Sequence, residues 1–173
     1  MRTAPLFLLV MVLAVPVALA QSPRDDQVIV PGVRIGKWTL KMTLDELNKM
    51  NGTAAVSQVL DPEYRSATFA FYSWSSLDFG AGADGSHRVE WFAVGFTYAV
   101  IPWKTQEGIG LQNTRADVLK AYGKPSVETI PGPGLKNLIY DAIGIDFQVY
   151  DSGGNIKEIR IFRPGTAKSI WKL

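Results

Sequence analysis

Apolar and polar residues alternate with a period of two in two segments near the C-terminal end of the chain. Every second residue is apolar in 143–150, and the same alternation recurs in 156–162. This period is typical of strands that bury one face. The Gly-rich segment 151–155 between them predicts a hairpin turn. We therefore expect two antiparallel strands here, preceded by shorter strands at 127–130 and 138–140.

Two short helices are predicted by matching signals at their ends. Thr43 and Thr114, 71 positions apart, are suitable N-caps, and each is followed three residues later by an acidic residue that completes a capping box. Gly52 and Gly123 can adopt the left-handed conformation that ends a helix. Helices of two turns are unstable alone in water, so each must pack on a sheet.

The repeated offset predicts an α+β fold of two tandem repeats. Each repeat is expected to be a short capped helix packed on an antiparallel sheet of three to four strands. The first repeat would span 35–104 and the second 105–173, after an N-terminal leader at 21–34.

The first repeat has a less regular pattern than the second. We expect strands at 56–60, 67–74 and 88–100, with a Gly-rich turn region at 80–86. Apolar residues occur on both faces of these strands. Both faces are therefore expected to be covered, either by the other repeat or by a partner.

The N-terminus has the features of a signal peptide at 1–20. Arg2 precedes an apolar run, and Ala18-Leu19-Ala20 is a suitable cleavage site. A membrane anchor is the alternative, but the run is short for a span and contains Pro16. We predict a mature chain of 153 residues that is periplasmic or secreted and not stably inserted in a membrane.

Composition narrows the classes of function. The net charge is +2 with no long basic run, which argues against nucleic-acid binding. The absence of cysteine excludes disulfides, thiol catalysis, Cys-based zinc sites and a lipid anchor at the cleavage point. A single histidine further limits metal sites and catalytic triads. We therefore predict no metal and no cofactor.

Two groups of polar residues are candidates for catalysis. His87, with Asp78 and Asp84, has the residue types of a metal site or triad, but a polar hairpin loop explains the same composition. The second group could place paired carboxylates beside a basic residue for acid–base work. A solvated sheet face would produce the same alternation, and we favour that interpretation. The group consists of Asp141, Asp146, Gln148, Glu158 and Arg160.

Aromatic residues concentrate in the first repeat and the connection that follows it. Tyr72, Trp74, Trp91 and Trp103 form a hypothetical protein-binding set, because Tyr and Trp often anchor interfaces. The alternative is that these side chains fill the seam between the two repeats.

A family resemblance adds to this picture. The segment Gly108–Pro125, followed by Tyr140-Asp141 and Gly144–Phe147, resembles the repeat of the β-lactamase-inhibitor-protein-like fold. That fold is also seen in the small lipoprotein of the bacterial outer-membrane assembly machinery. The resemblance implies helical elements on antiparallel sheets that lie side by side as a curved protein-binding surface. This chain lacks the acylated cysteine of the lipoprotein and the disulfides of the inhibitors, so no functional residues are carried over.

These observations favour an exported, non-enzymatic protein-binding module of the bacterial envelope or secreted fraction. Its partner would be another envelope or secreted protein. One alternative is a periplasmic scaffold that acts as a homodimer. Another is a carboxylate-dependent hydrolase, which would need a pocket joining at least two of Asp141, Asp146 and Glu158.

Overall fold

The computed structural model of the chain describes residues 27–57, 69–77, 79–95 and 102–171. Within these ranges the fold is mixed α+β, mostly sheet, with three helices and two open sheets. The helices are α1 (Leu44–Asn51), α2 (Arg115–Tyr122) and α3 (Ala167–Trp171). The small sheet contains β1 (Val28–Val30), β2 (Arg34–Ile35), β3 (Trp38–Thr39) and β8 (Lys104–Thr105). The large sheet contains β4 (Ala55–Ser57), β5 (Phe69–Trp74), β6 (Phe79–Asp84), β7 (Val89–Val94), β9 (Val127–Thr129), β10 (Leu135–Tyr140), β11 (Ile145–Tyr150) and β12 (Ile156–Phe162).

The large sheet is built from two antiparallel meanders that meet at their last strands. Its strand order is β4-β5-β6-β7-β12-β11-β10-β9. The two halves join where β7 pairs with β12, with Val94 opposite Ile159 and Phe92 opposite Ile161. α1 precedes the first meander and α2 precedes the second. Each meander of the large sheet therefore follows a helix in the chain, and β8 of the small sheet lies between β7 and α2.

Both predicted helix starts are confirmed, and both form complete capping boxes. The Glu46 N–H donates to Thr43 Oγ1 (3.3 Å), and the Thr43 N–H donates to Glu46 Oε2 (2.8 Å). In α2 the Asp117 N–H donates to Thr114 Oγ1 (3.4 Å), and the Thr114 N–H donates to Asp117 Oδ2 (2.8 Å). Each box satisfies two of the N–H groups that a helix start leaves without a partner in the helix.

Two tryptophans hold the end of α1 against the sheet. The Trp38 indole N–H donates to Asn51 Oδ1 (3.1 Å), and the Trp74 indole N–H donates to the carbonyl of Gly52 (2.7 Å). Both rings stack on Phe79, with centroid distances of 4.0 and 5.5 Å. The C-terminus of α1 is therefore positioned by side chains from the small and the large sheet.

The large sheet buries apolar residues on both faces. On the face covered by α1 and α2, here called the helix face, Phe79, Phe92, Phe147 and Ile159 belong to one continuous core. On the opposite face, here called the second face, the smaller apolar cluster is completed by residues of α3. That cluster contains Phe71, Trp91, Ala93, Ile139, Phe162, Ala167 and Ile170. The expectation that both faces are covered is met within the described part of the chain.

Arg163 ties the end of β12 to the first half of the chain. Its guanidinium forms an ion pair with Glu90. Its Nη2 donates to the carbonyls of Leu40 (3.0 Å) and Val89 (2.8 Å). One side chain therefore connects the last strand, the β6–β7 hairpin and the segment before α1.

The predicted turn region 80–86 is wrong over most of its length. β6 runs through Asp84 as a strand between β5 and β7. The indole of Trp91 lies against Gly82, where an added Cβ would be 2.0 Å from ring atoms. Gly82 therefore lies inside a strand, where the absence of a side chain leaves room for the Trp91 ring.

Other sequence predictions differ in extent from the structure. β7 ends at Val94 instead of continuing to 100, and residues 96–101 lie outside the described residues. The predicted signal peptide, 1–20, also lies outside them. The short helix α3 was not predicted at all.

Candidate functional site: a charged cluster beneath the C-terminal helix

The second face carries a group of charged and amide side chains at the centre of the β10–β12 meander. Asp146 lies directly opposite Arg160, and Gln148 lies directly opposite both Glu158 and Asn137. They occupy alternate strand positions between residues of the helix-face core, so they lie on the second face. We call Asp146, Glu158 and Arg160, with the two amides, the charged cluster.

The charged cluster is buried. The side chains of Arg160 and Asp146 are 0% exposed and that of Glu158 is 5% exposed. Arg160 pairs with the Asp146 carboxylate, and its Nε lies 3.9 Å from Glu158 Oε1. Burial of this kind is costly unless charges are paired and hydrogen-bonded, and opposite charges across adjacent strands provide the pairing.

The amides extend the charged cluster toward the edge of the sheet. Gln148 Nε2 donates to Asn137 Oδ1 (3.3 Å), and Asn137 Nδ2 donates to Thr129 Oγ1 (3.2 Å). Because the side chains of the charged cluster are buried, the favoured interpretation of their positions as a solvated sheet face is wrong. Period two assigns side chains to a face but does not report whether that face contacts water.

α3 lies over part of the charged cluster. The indole ring of Trp171 lies 4.4 Å from Arg160 Cζ, a cation–π contact. The same ring also lies 5.6 Å from Trp91 and 6.2 Å from Phe162, centroid to centroid. Trp171 was not singled out from the sequence, because a five-residue helix contains too few residues to show a period.

Asp141 does not belong to the charged cluster, although the sequence grouped it there. It follows β10 in the turn to β11, where its backbone carbonyl accepts from Gly165 (3.0 Å). Its Oδ1 accepts from the Ala167 N–H at the start of α3 (3.0 Å). Asp141 therefore holds α3 in place.

The four aromatic residues of the protein-binding hypothesis are divided between the two faces. Tyr72, Trp74 and Trp103 join the helix-face core, whereas Trp91 lies on the second face and stacks on Phe71 at 5.5 Å. Trp74, Trp91 and Trp103 are at most 5% exposed, and Tyr72 is half-buried. Burial favours the alternative in which the three tryptophans fill the core. No observation tests a binding role for any of the four residues, so it stays a prediction for all of them.

The loop around His87 is the turn of the β6–β7 hairpin. Asp84 Oδ1 accepts hydrogen bonds from the Ser86 hydroxyl (2.7 Å) and from the N–H groups of Ser86 (2.9 Å) and Arg88 (3.0 Å). The Ser86 hydroxyl, followed by the Arg88 N–H, lowers the pKa of the Asp84 carboxyl. His87 Nδ1 lies 3.4 Å from Asp45 Oδ1 at the exposed surface. These contacts account for the loop residues structurally, and Asp78 lies outside the described residues.

The described ranges hold neither a candidate metal site nor a helix that could span a membrane. They contain no group of three or more His, Asp or Glu side chains that could hold a metal ion. Among the helices of the same ranges, none has the length and apolar character needed to cross a membrane.

Comparison with known proteins finds similar solved structures at low identity and no family. No protein-family model matches the chain, and no curated protein matches it. A solved structure of a DUF4309 family protein (YjgB) from Bacillus subtilis has a TM-score of 0.48 and 14% identity, and the likeness covers 76% of this chain and 88% of that one. The uncharacterized protein yfeY from Escherichia coli has a TM-score of 0.49 and 12% identity, with 78% and 97% covered. At these TM-scores neither likeness carries an argument about function.

Proposed function

We propose that the chain is an exported, non-enzymatic module that binds another protein of the bacterial envelope or secreted fraction. In this proposal the chain consists of two tandem repeats, each a capped helix and a four-stranded meander. The repeated capping boxes and the repeated order of helix and strands support the tandem form. The resemblance to the β-lactamase-inhibitor-protein-like fold, made from the motif at Gly108–Pro125, agrees with it.

The observation that carries the binding proposal is the character of the second face. Both long helices lie on the helix face, so the joined eight-stranded sheet has one broad face without them. That face combines stacked aromatic rings with an arginine, the residue types that dominate protein interfaces. These side chains are buried, so in this proposal a partner reaches them where the cover of the face opens. Among the described residues, the helix that lies on this face is the five-residue α3. A broad sheet face of this composition suits a protein partner.

Photo-crosslinking in a bacterial host tests the proposal. Tyr150, exposed on the strand that carries Asp146 and Gln148, is replaced by a photo-crosslinking amino acid. Lys120, exposed on α2, receives the same amino acid as the matched control. We expect a crosslinked protein from the position of Tyr150 and none from that of Lys120. If a folded chain yields no specific crosslink at Tyr150, protein binding through this face is wrong.

Export is tested separately by the N-terminus of the isolated protein. Cleavage after Ala20 would leave Gln21 as the first residue, which mass spectrometry of the periplasmic or culture fraction detects. A cytoplasmic protein that retains residues 1–20 would contradict the export half of the proposal.

A homodimeric scaffold is the second candidate. It is favoured by the two edge strands of the large sheet, β4 and β9, since exposed edges can pair with another chain. Val56 on β4 and Ile130 after β9 are exposed apolar side chains at these edges. A stable dimer by light scattering at micromolar concentration, lost on Ile130→Lys, would favour this candidate. A monomer would exclude it.

Carboxylate-dependent hydrolysis is the weakest candidate. Asp146 and Glu158 do converge, but both are directed at the Arg160 guanidinium and are almost fully buried. A general acid or base must reach its substrate, and these carboxylates face a cation within the protein.

A further inference from the structure

The C-terminal helix α3 is bound to the second face mainly through side chains. Ala167 and Ile170 are buried in the apolar cluster of that face, and Trp171 lies on Arg160. The N–H groups of Ser169 and Ile170 both donate to the carbonyl of Thr166, the residue before the helix, and the Ala167 N–H donates to the Asp141 carboxylate. In contrast with the strands, α3 does not extend the backbone ladder of the sheet.

A helix of this length cannot persist without the surface beneath it. Five residues form little more than one turn, which is unstable in water by itself. Its position therefore depends on the places that receive Ile170 and Trp171. Short elements that are absent from the backbone ladder of the sheet open more readily than its central strands.

We propose that α3 is a built-in pseudo-ligand, and that a partner's peptide segment displaces it from the second face. This inference rests on the proposed binding function and names the segment that the face accepts. The partner segment presents an aromatic side chain, which takes the place of the Trp171 indole on Arg160. An aliphatic side chain next to it takes the place of Ile170.

The contacts of Trp171 define this chemistry. An aromatic ring is required because the site offers a guanidinium on one side and the rings of Trp91 and Phe162 on the others. A guanidinium is attracted to a ring face, and ring pairs with centroids about 4.5–7 Å apart are favourable. A lysine or carboxylate in this place would lose those contacts. The face is therefore selective for aromatic segments.

A peptide with the sequence of α3 and the residues before it is the probe that tests this proposal. A synthetic peptide of residues 163–171 is titrated into the purified, isotope-labelled full chain that carries Ile170→Ala and Trp171→Ala. We expect saturable changes in the backbone amide signals of Asp146 and Arg160. The unsubstituted chain should respond at least tenfold more weakly at the same peptide concentration, because its own α3 occupies the face. The matched control peptide carries alanine in place of its tryptophan and should produce no change.

Two results would overturn the inference. One is a folded double variant that shows no response up to millimolar peptide. The other is an unsubstituted chain that responds as strongly as the variant at the same two residues.

Hydrogen exchange of the unsubstituted chain gives a test that needs no variant. The amides of Ser169 and Ile170 should exchange at least a hundredfold faster than those at the centre of β12, because α3 opens while the sheet stays folded. Equal protection would contradict displacement. If the peptide binds but Tyr150 crosslinks no envelope protein, the face accepts an aromatic segment and the proposed cellular function is the part that fails.

Discussion

The buried pair of Asp146 and Arg160 provides the sharpest test of the structure. Both side chains are 0% exposed, so removing one partner leaves a charge in the interior that water cannot solvate. Breaking such a pair costs about 3–5 kcal/mol. Folded domains have a total stability of about 5–15 kcal/mol, so either substitution should remove a large share of it.

Because of Glu158, we expect the loss of stability to be smaller for Asp146→Asn than for Arg160→Met. In Asp146→Asn, Arg160 still has the Glu158 carboxylate 3.9 Å from its Nε, so we expect a loss near the lower end, about 3 kcal/mol. In Arg160→Met, two buried carboxylates lose their shared cation, so we expect about 5 kcal/mol. Joining Arg160→Met to Asp146→Leu removes both charges of the pair. We expect that double variant to be more stable than Arg160→Met alone.

Chemical denaturation followed by circular dichroism measures these losses, provided that the slope with denaturant is unchanged between variants. The pair of half-buried Lys136 and exposed Asp151 is the matched control, with Nζ 2.7 Å from Oδ1. Lys136→Ala should cost about 0–1 kcal/mol, because water solvates the remaining charge. If Asp146→Asn costs no more than Lys136→Ala, the charged cluster is not buried as described, and the proposal for the second face loses its basis.

Three further predictions, one of them with Gly85→Ala as its control, test local geometry and the pKa of a capping residue. Overpacking costs about 1–3 kcal/mol, and we expect Gly82→Ala to cost an amount at the upper end of this range, because its Cβ would lie 2.0 Å from the Trp91 ring. Gly85→Ala is the control: nothing lies within 4 Å of the added Cβ, so it should be close to neutral in the same denaturation assay. His87 has a φ of 61°, so His87→Gly should raise the free energy of unfolding by about 0.5–1 kcal/mol, and a loss would contradict the left-handed backbone. The capping box lowers the pKa of Asp117 from 3.8, chiefly through the backbone N–H of the N-cap threonine. Its stabilisation is therefore present above pH 3.8 and is lost as the pH falls through the lower folded pKa, so the difference in melting temperature between wild type and Asp117→Asn should shrink between about pH 7 and about pH 2.

Local signals in the sequence predicted the elements that are defined by local contacts. A capping box is a contact between residues three apart, so Thr43 and Thr114 identified both helix starts correctly. The β11–β12 hairpin is likewise defined by alternation and by the Gly-rich turn at 151–155. Local signals gave a wrong prediction where an element is determined by a contact with another strand. The Trp91 ring on the neighbouring strand explains the glycine at position 82, and this contact leaves no local signal in the sequence.

The charged cluster shows where sequence reasoning had more information than it used. Once a hairpin is centred on Gly153, Asp146 falls opposite Arg160 and Gln148 falls opposite Glu158. Opposite charges in register on one face are a pairing signal that an ordinary solvated face does not require. Burial could not be inferred in the same way, because Trp171, which lies over Arg160, belongs to a segment with no periodicity. The pairing of Asp146 with Arg160 was therefore predictable from the hairpin, whereas the position of α3 over Arg160 required the structure.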